Sequence, residues 1–177
     1  MLTRIVKTKG SYELPRKNIL VLACIDLRLT DETINFLHQD NLHNRFDYFT
    51  LAGSSLCTCI DKDNKIDFKD EILKRYENFT HWEKTFTEHV ELAISLHDIH
   101  DVYIIEHRDC GAYRGFLKNG NFGPGQEQQE FDTHQRFAKL LANRLEGMKL
   151  NNPKDQPYPK LKVRAFLIDL RGDLEVL

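Results

Sequence analysis

The run Asn18–Ala23 (NILVLA) is apolar without alternation, and so is Val102–Ile105 (VYII). A strand with one wet face alternates apolar and polar residues. A short continuous apolar run suits a strand covered on both faces, as in a parallel sheet sandwiched between helices. Two such runs commit the chain to helices above and below them. Phe46–Leu51 (FDYFTL) reads as a further strand that enters the small-residue turn Ala52-Gly53-Ser54-Ser55. Lys162–Leu170 (KVRAFLIDL) reads as a late strand, and Arg171-Gly172-Asp173 as a turn before Leu174–Leu177. That last segment follows a tight turn, so it is expected to add an antiparallel edge.

The covering helices are also written in the spacing. Thr30 and Asp31 are cap-type residues that open a helix through His38, with Ile34 and Leu37 on one face. From about Glu83, Phe86, Val90, Ala93, Ile94 and His97 recur at amphipathic intervals. Phe137, Leu140, Leu141, Leu145 and Met148 define another helix, ending at Asn151-Asn152-Pro153. Asp61–Lys69 is polar, a loop or a helix start, and Asn119–Gly125 is a loop with three glycines and a proline. Strands alternate with helices, so the expected fold is α/β: a central, mainly parallel sheet flanked by helices, with an antiparallel edge strand. At roughly 150 residues per domain, residues 1–177 are expected to form one domain.

Composition removes several functions. Lys plus Arg is 25 against 27 Asp plus Glu, a net charge of -2, so no nucleic-acid partner held by bulk positive charge is expected. No run approaches the ~18 apolar residues of a membrane span, and Met1–Gly10 is basic with no apolar stretch behind it. A cytoplasmic location without membrane attachment is the expectation. Four cysteines are too few for a disulfide scaffold at this length. In a reducing compartment they read as metal ligands, nucleophiles or small core residues.

Cys24-Ile25-Asp26-Leu27-Arg28 begins where the first apolar run ends, and His107-Arg108-Asp109-Cys110-Gly111 begins just after the second. Sites in open parallel sheets form outside the carboxyl ends of the strands, where strand order reverses. If the two strands are neighbours there, Cys24, His107 and Cys110 converge. Two thiolates and an imidazole make a zinc set with one tetrahedral position open, as catalytic zinc sites require. The blander readings are a small buried strand-end residue for Cys24 and an ordinary helix-entrance ion pair for Asp26 and Arg28.

Cys-x-Asp-x-Arg followed by His-x-x-Cys-Gly resembles the β-class carbonic anhydrases, and His107–Tyr113 (HRDCGAY) is similar to a divergent subgroup of that family. Glu91-Leu92-Ala93 leading into Val102–Glu106, and the ending Phe166–Leu174, resemble further family segments, so the likeness spans roughly residues 18–177. The resemblance implies one zinc per chain on Cys24, His107 and Cys110. It implies Asp26 and Arg28 as the catalytic dyad, with Asp26 a fourth ligand in a closed state. The implied reaction is reversible hydration of carbon dioxide to bicarbonate by a zinc-bound hydroxide, in a homodimer or higher oligomer. Zinc lowers the pKa of bound water. Two thiolates temper that effect, so an acceptor such as Asp26, held bidentately by Arg28, gains importance. The alternatives are a zinc hydrolase for COS- or CS2-like substrates, and a zinc-binding protein without turnover on the same scaffold.

The chain departs from the family pattern in three places. Its turn reads Leu51-Ala52-Gly53-Ser54 without the usual preceding polar residue. Glu106 stands before the histidine where glycine is common, and Gly120–Glu130 has no counterpart. Outside the motifs, Cys57-Thr58-Cys59 offers a competing Cys-x-Cys pair for a metal or for redox chemistry. Glu127, Glu130 and His134 share helical spacing. They read either as a solvated helix start or as groups that reach the zinc pocket as a proton shuttle or gate. Trp82 reads as a packing residue.

Overall fold

The computed structural model describes residues 5–58, 67–75, 80–148 and 160–177. The strands are β1 (Thr8–Lys9), β2 (Ile19–Ala23), β3 (Phe46–Thr50), β4 (Asp101–His107), β5 (Lys162–Ile168) and β6 (Leu174–Val176). The helices are α1 (Thr30–Gln39), α2 (Ser55–Thr58), α3 (Asp70–Arg75), α4 (Thr80–His97), α5 (Gly111–Phe116) and α6 (Glu127–Gly147). They build a six-stranded sheet in the order β1-β6-β5-β4-β2-β3. β2 lies parallel between β3 and β4, and β4 is parallel to β5. β6 turns back antiparallel on β5, as the tight Arg171–Asp173 turn predicts, and the two-residue β1 lies parallel beyond it.

Every residue of β2 and of β4 is buried, which is why their sequences do not alternate. The period of two still sorts the side chains. Leu20, Leu22, Val102 and Ile104 face one core with Phe86, Val90 and Ile94 of α4 and Phe137, Leu141 and Leu145 of α6. Ile19, Val21, Ala23, Tyr103 and Ile105 face the other, with Phe36 and Leu37 of α1 and Phe166 and Ile168 of β5. The chain leaves β2 for β3 on one side and returns to β4 on the other. Strand order therefore reverses between β2 and β4, where the carboxyl-end crevice of such a sheet lies.

Local differences from the sequence reading have local causes. α1 begins at Thr30 as expected, but no side-chain cap bond forms there. A short 3₁₀ turn, Leu27–Leu29, precedes it, and Asp26 caps that turn by accepting from the Arg28 backbone N–H. α6 starts at Glu127, where the spacing of Glu127, Glu130 and His134 indicates a helix, ten residues before its apolar stripe begins at Phe137, and the fold buries Glu130 and His134 there. α5 and β1 carry too few residues to show a period. The expected end at Asn151-Asn152-Pro153 lies outside the described residues, as does most of Asp61–Lys69. Among the described residues no helix is long and apolar enough to cross a membrane.

One buried polar cluster sits in the α1-side core. The Tyr12 and Tyr103 hydroxyls both donate to Asp40, Tyr103 at 2.8 Å. Burial raises the Asp40 carboxyl above its ordinary 3.8, against the opposing pull of the two tyrosines and the Arg164 charge. A raised folded-state pKa means the native state holds the proton more tightly. This contribution to stability is therefore complete below pH 3.8 and is lost as pH rises through the raised value. Tyr103→Phe removes a buried donor from Asp40 and is expected to cost about 1–3 kcal/mol in urea unfolding. Asp40→Asn removes the titration, so the stability difference from wild type should move in the variant's favour as pH rises from about 4 to 7. A difference that stays flat across that range would contradict the assignment.

Candidate metal centre

Parallel register does the first part of the assembly. Ala23 pairs with Ile105, so Cys24, the next residue, leaves β2 beside the last two residues of β4. His107 is the end of that strand and 3% exposed. The chain then reverses through Asp109, which has φ +55, a left-handed conformation that a short polar side chain tolerates. This returns Cys110 to the crevice as the residue capping α5. The ligand atoms of Cys24, His107 and Cys110 all lie within 4.8 Å of one another, and among the described residues they form the cluster suited to a metal.

The donor set fits zinc on three counts. The two sulfurs are 4.0 Å apart, too far for a disulfide. Two sulfurs about 2.3 Å from a tetrahedral zinc would be separated by roughly 3.8 Å. His107 Nδ1 lies 2.9 Å from the Arg108 carbonyl oxygen, so it carries the proton and donates it there. Its Nε2 is then a lone-pair acceptor, buried and without a hydrogen-bond partner. An imidazole pinned at one nitrogen and orphaned at the other is the usual arrangement of a metal ligand. Cys24 is the more acidic thiol. The Cys110 hydrogen bond, with His107 beside it, holds it well below the ordinary thiol range, while that same contact and burial push Cys110 up.

Asp26 and Arg28 stand at the mouth. Arg28 Nε donates to Asp26 Oδ1 at 2.9 Å and Nη2 to Oδ2 at 2.7 Å, a two-point grip. Asp26 Oδ2 is 3.8 Å from His107 Nε2. The Arg28 contacts hold the Asp26 carboxyl down to about 2. Arg28 also reaches Asp109 through Nη1, at 2.8 Å from Oδ2, and through Nη2, at 3.1 Å from its carbonyl oxygen. It thus ties the Cys24 loop to the His107–Cys110 loop. The cavity between them is ≈ 10 Å³, walled by Ala23, Leu29, Ile105 and Ile168 with Thr30, Thr33 and Tyr48, and reached by Cys24, Asp26 and His107. A larger cavity of ≈ 320 Å³ lies at the opposite end of the strands, around Asp101 and Lys162, away from this chemistry.

The other candidates separate. Cys57 is buried in the α4/α6-side core and is not in the cluster, and Cys59 lies outside the described residues. Trp82 packs against that core. Glu127, Glu130 and His134 divide along α6. Glu127 is exposed. Glu130 is 6% exposed and His134 is fully buried, so neither forms a solvated helix start. His134 does not line the metal cavity; its Nδ1 lies 2.9 Å from Glu106 Oε2. Glu130 accepts from the Asp109 backbone N–H at 2.7 Å and from Arg108 Nη1 at 3.0 Å. It is the brace for the loop that carries His107 and Cys110. Helical spacing alone could not show this, because its partners are some twenty residues earlier in the chain. Glu106 was the clearer signal: a charged residue directly after the unbroken apolar run Val102–Ile105.

No protein-family model matches the chain. An uncharacterized protein of Rickettsia conorii is 30% identical over 179 residues, covering 97% of this chain and 80% of its own length. The chain belongs to that family. A second member, an uncharacterized protein of Rickettsia bellii, is 29% identical over 97% of this chain and 91% of its own length. Similar solved structures include a carbonic anhydrase from Streptococcus mutans, 14% identical with a TM-score of 0.48, covering 94% of this chain and 87% of that one. A carbonic anhydrase from Glaciozyma antarctica gives 14% and 0.45 over 92% and 85%. A carbon disulfide hydrolase gives 11% and 0.42 over 91% and 77%.

Glu130→Ala strips the loop of a charged acceptor for two donors. Its expected cost is about 2–3 kcal/mol in chemical denaturation. A loss below about 0.5 kcal/mol would show that the loop holds itself.

Proposed function

We propose that the protein is a zinc-dependent enzyme that reversibly hydrates carbon dioxide to bicarbonate, residues 1–177 forming one domain of the β-carbonic-anhydrase type. One observation carries the reading: a buried His107 Nε2 without a hydrogen-bond partner meets two sulfurs 4.0 Å apart. The residues so gathered are those of the two motifs that resemble that family.

A zinc ion held by Cys24, His107 and Cys110 supplies a Lewis acid that makes water nucleophilic near neutral pH. Arg28 commits both oxygens of Asp26 to itself, which favours an open centre over one closed by the carboxylate. Asp26 Oδ2 then accepts the hydrogen bond of the attacking water and aims its lone pair at the substrate carbon. Because the carboxyl is held down to about 2, Asp26 remains an acceptor and does not keep the proton. Addition of the water oxygen to carbon dioxide, with loss of one proton to solvent, gives bicarbonate. The cavity supports a small substrate. Its ≈ 10 Å³ is the scale of a single water, and Thr30, Thr33 and Tyr48 line it beside the apolar Ala23, Leu29, Ile105 and Ile168.

A homodimer or higher oligomer belongs to the same reading. Ile25 and Leu27 are 65% and 87% exposed on either side of Asp26, and a second copy of the chain would cover them. Light scattering on the purified protein is expected to give at least a dimer.

Metal analysis should find about one zinc per chain, lost in Cys24→Ala. Stopped-flow carbon dioxide hydration by the zinc-loaded protein, over roughly pH 7 to 9, should exceed that control clearly. Arg28→Ala, which releases Asp26, should retain zinc and lose about 100-fold in kcat. Zinc-loaded wild type no faster than Cys24→Ala would overturn the reading. Turnover of COS or CS2 by the same preparation, with none of carbon dioxide, would move it to a hydrolase.

A further inference from the structure

Glu106 is a carboxylate, 1% exposed, placed next to a metal ligand on a strand that is otherwise a core element. Burying a charge is costly unless every lone pair is used, and here each oxygen is engaged. Oε1 accepts from the Ser55 backbone N–H at 2.9 Å and from the Ser55 hydroxyl. Oε2 meets His134 Nδ1 at 2.9 Å, and the His134 ring lies 3.8 Å from that of Tyr113. One side chain thus joins the end of β4, the first residue of α2 and the buried face of α6.

The engaged turn is the one that touches Cys24. Two residues before Ser55, the Gly53 backbone N–H donates to Cys24 Sγ at 3.3 Å. The turn has little slack. Gly53 has φ +73, and a Cβ there would lie 2.9 Å from the Ala112 Cβ. Ser54 follows at φ +46.

We propose, on the reading that Cys24 is a metal ligand, that Glu106 is a positioning residue for the metal centre. Through Ser55 it holds the Gly53 N–H on the Cys24 sulfur, and His134 holds Glu106. An N–H···S bond draws charge from a thiolate, so it sets how strongly Cys24 donates to the metal and where its lone pairs point. The glycine usual at this position in the resembled family could not do this. The unusual Glu106 and the buried His134 are thereby parts of one device.

Cobalt(II), bound in place of zinc, reports on this directly through its thiolate-to-metal charge-transfer absorption. Glu106→Ala is expected to shift that band and to weaken cobalt binding about 10- to 100-fold by chelator competition. Glu106→Gln keeps an acceptor for Ser55 and should recover most of both. Gly53→Ala, which disturbs the turn but leaves Glu106 in place, should shift the band in the same direction. A cooperatively folded Glu106→Ala protein with wild-type cobalt spectrum and affinity would overturn the proposal, as would an unchanged spectrum in Gly53→Ala. If Glu106→Ala does not fold, Ser55→Ala decides. It removes one of the two bonds from the turn, and a smaller shift of the same sign is expected; no shift overturns the proposal. Wild-type protein that binds neither cobalt nor zinc refutes the metal reading and this device with it. Normal wild-type binding with an indifferent Glu106→Ala refutes the device alone.

Discussion

The register between β2 and β4 is the constraint on which the rest of the molecule depends. Both strands are buried on both faces, so a slip of one residue would exchange the side chains of two cores at once. Pairing Ala23 with Ile105 has a chemical consequence as well as a packing one. β2 stops two residues before β4 does, and that offset lets Cys24 turn off the sheet exactly where His107 arrives. A cavity with a thiol on one wall and an imidazole on the other follows from two strands of unequal length.

What surrounds that cavity is held by charge more than by apolar packing. Arg28 links Asp26 to Asp109, Arg114 takes the other Asp109 oxygen, and Glu130 takes Arg108 and the Asp109 N–H. Arg28 is 41% exposed on its side chain, so its pairs contribute little to stability. Their value is geometric: a planar fork fixes two carboxylates and a carbonyl at once. Asp26 and Glu106 are handled in opposite ways. Asp26 is held at the mouth by a cation, and it is ionised and directed at the cavity. Glu106 is buried next to His107, its oxygens turned to backbone, hydroxyl and imidazole.

The sheet, its two covering layers and the trio Cys24, His107 and Cys110 were readable in the residues, because each rests on a local signal. Unbroken apolar runs, helical spacing and donor residues at the run ends need no knowledge of distant partners. The antiparallel return of β6 was readable for the same reason, from a tight turn. The burial of Glu130 and His134 in the early turns of α6 was not, since both look like solvent-facing residues until their partners are known. The capping role of Asp26 was hidden by the stronger cap-type pair Thr30 and Asp31.

From the chain alone came the choice of elements and the trio of candidate donors, Cys24, His107 and Cys110. Hydrophobic periodicity and ligand chemistry are properties of segments a few residues long. Only the folded arrangement placed strand order reversal between β2 and β4, and only there did Glu106 meet both Ser55 and His134. Those contacts join residues 28 and 51 positions apart across packed layers. Buried polar groups must find partners wherever the packing brings them, and no local pattern records which ones they find.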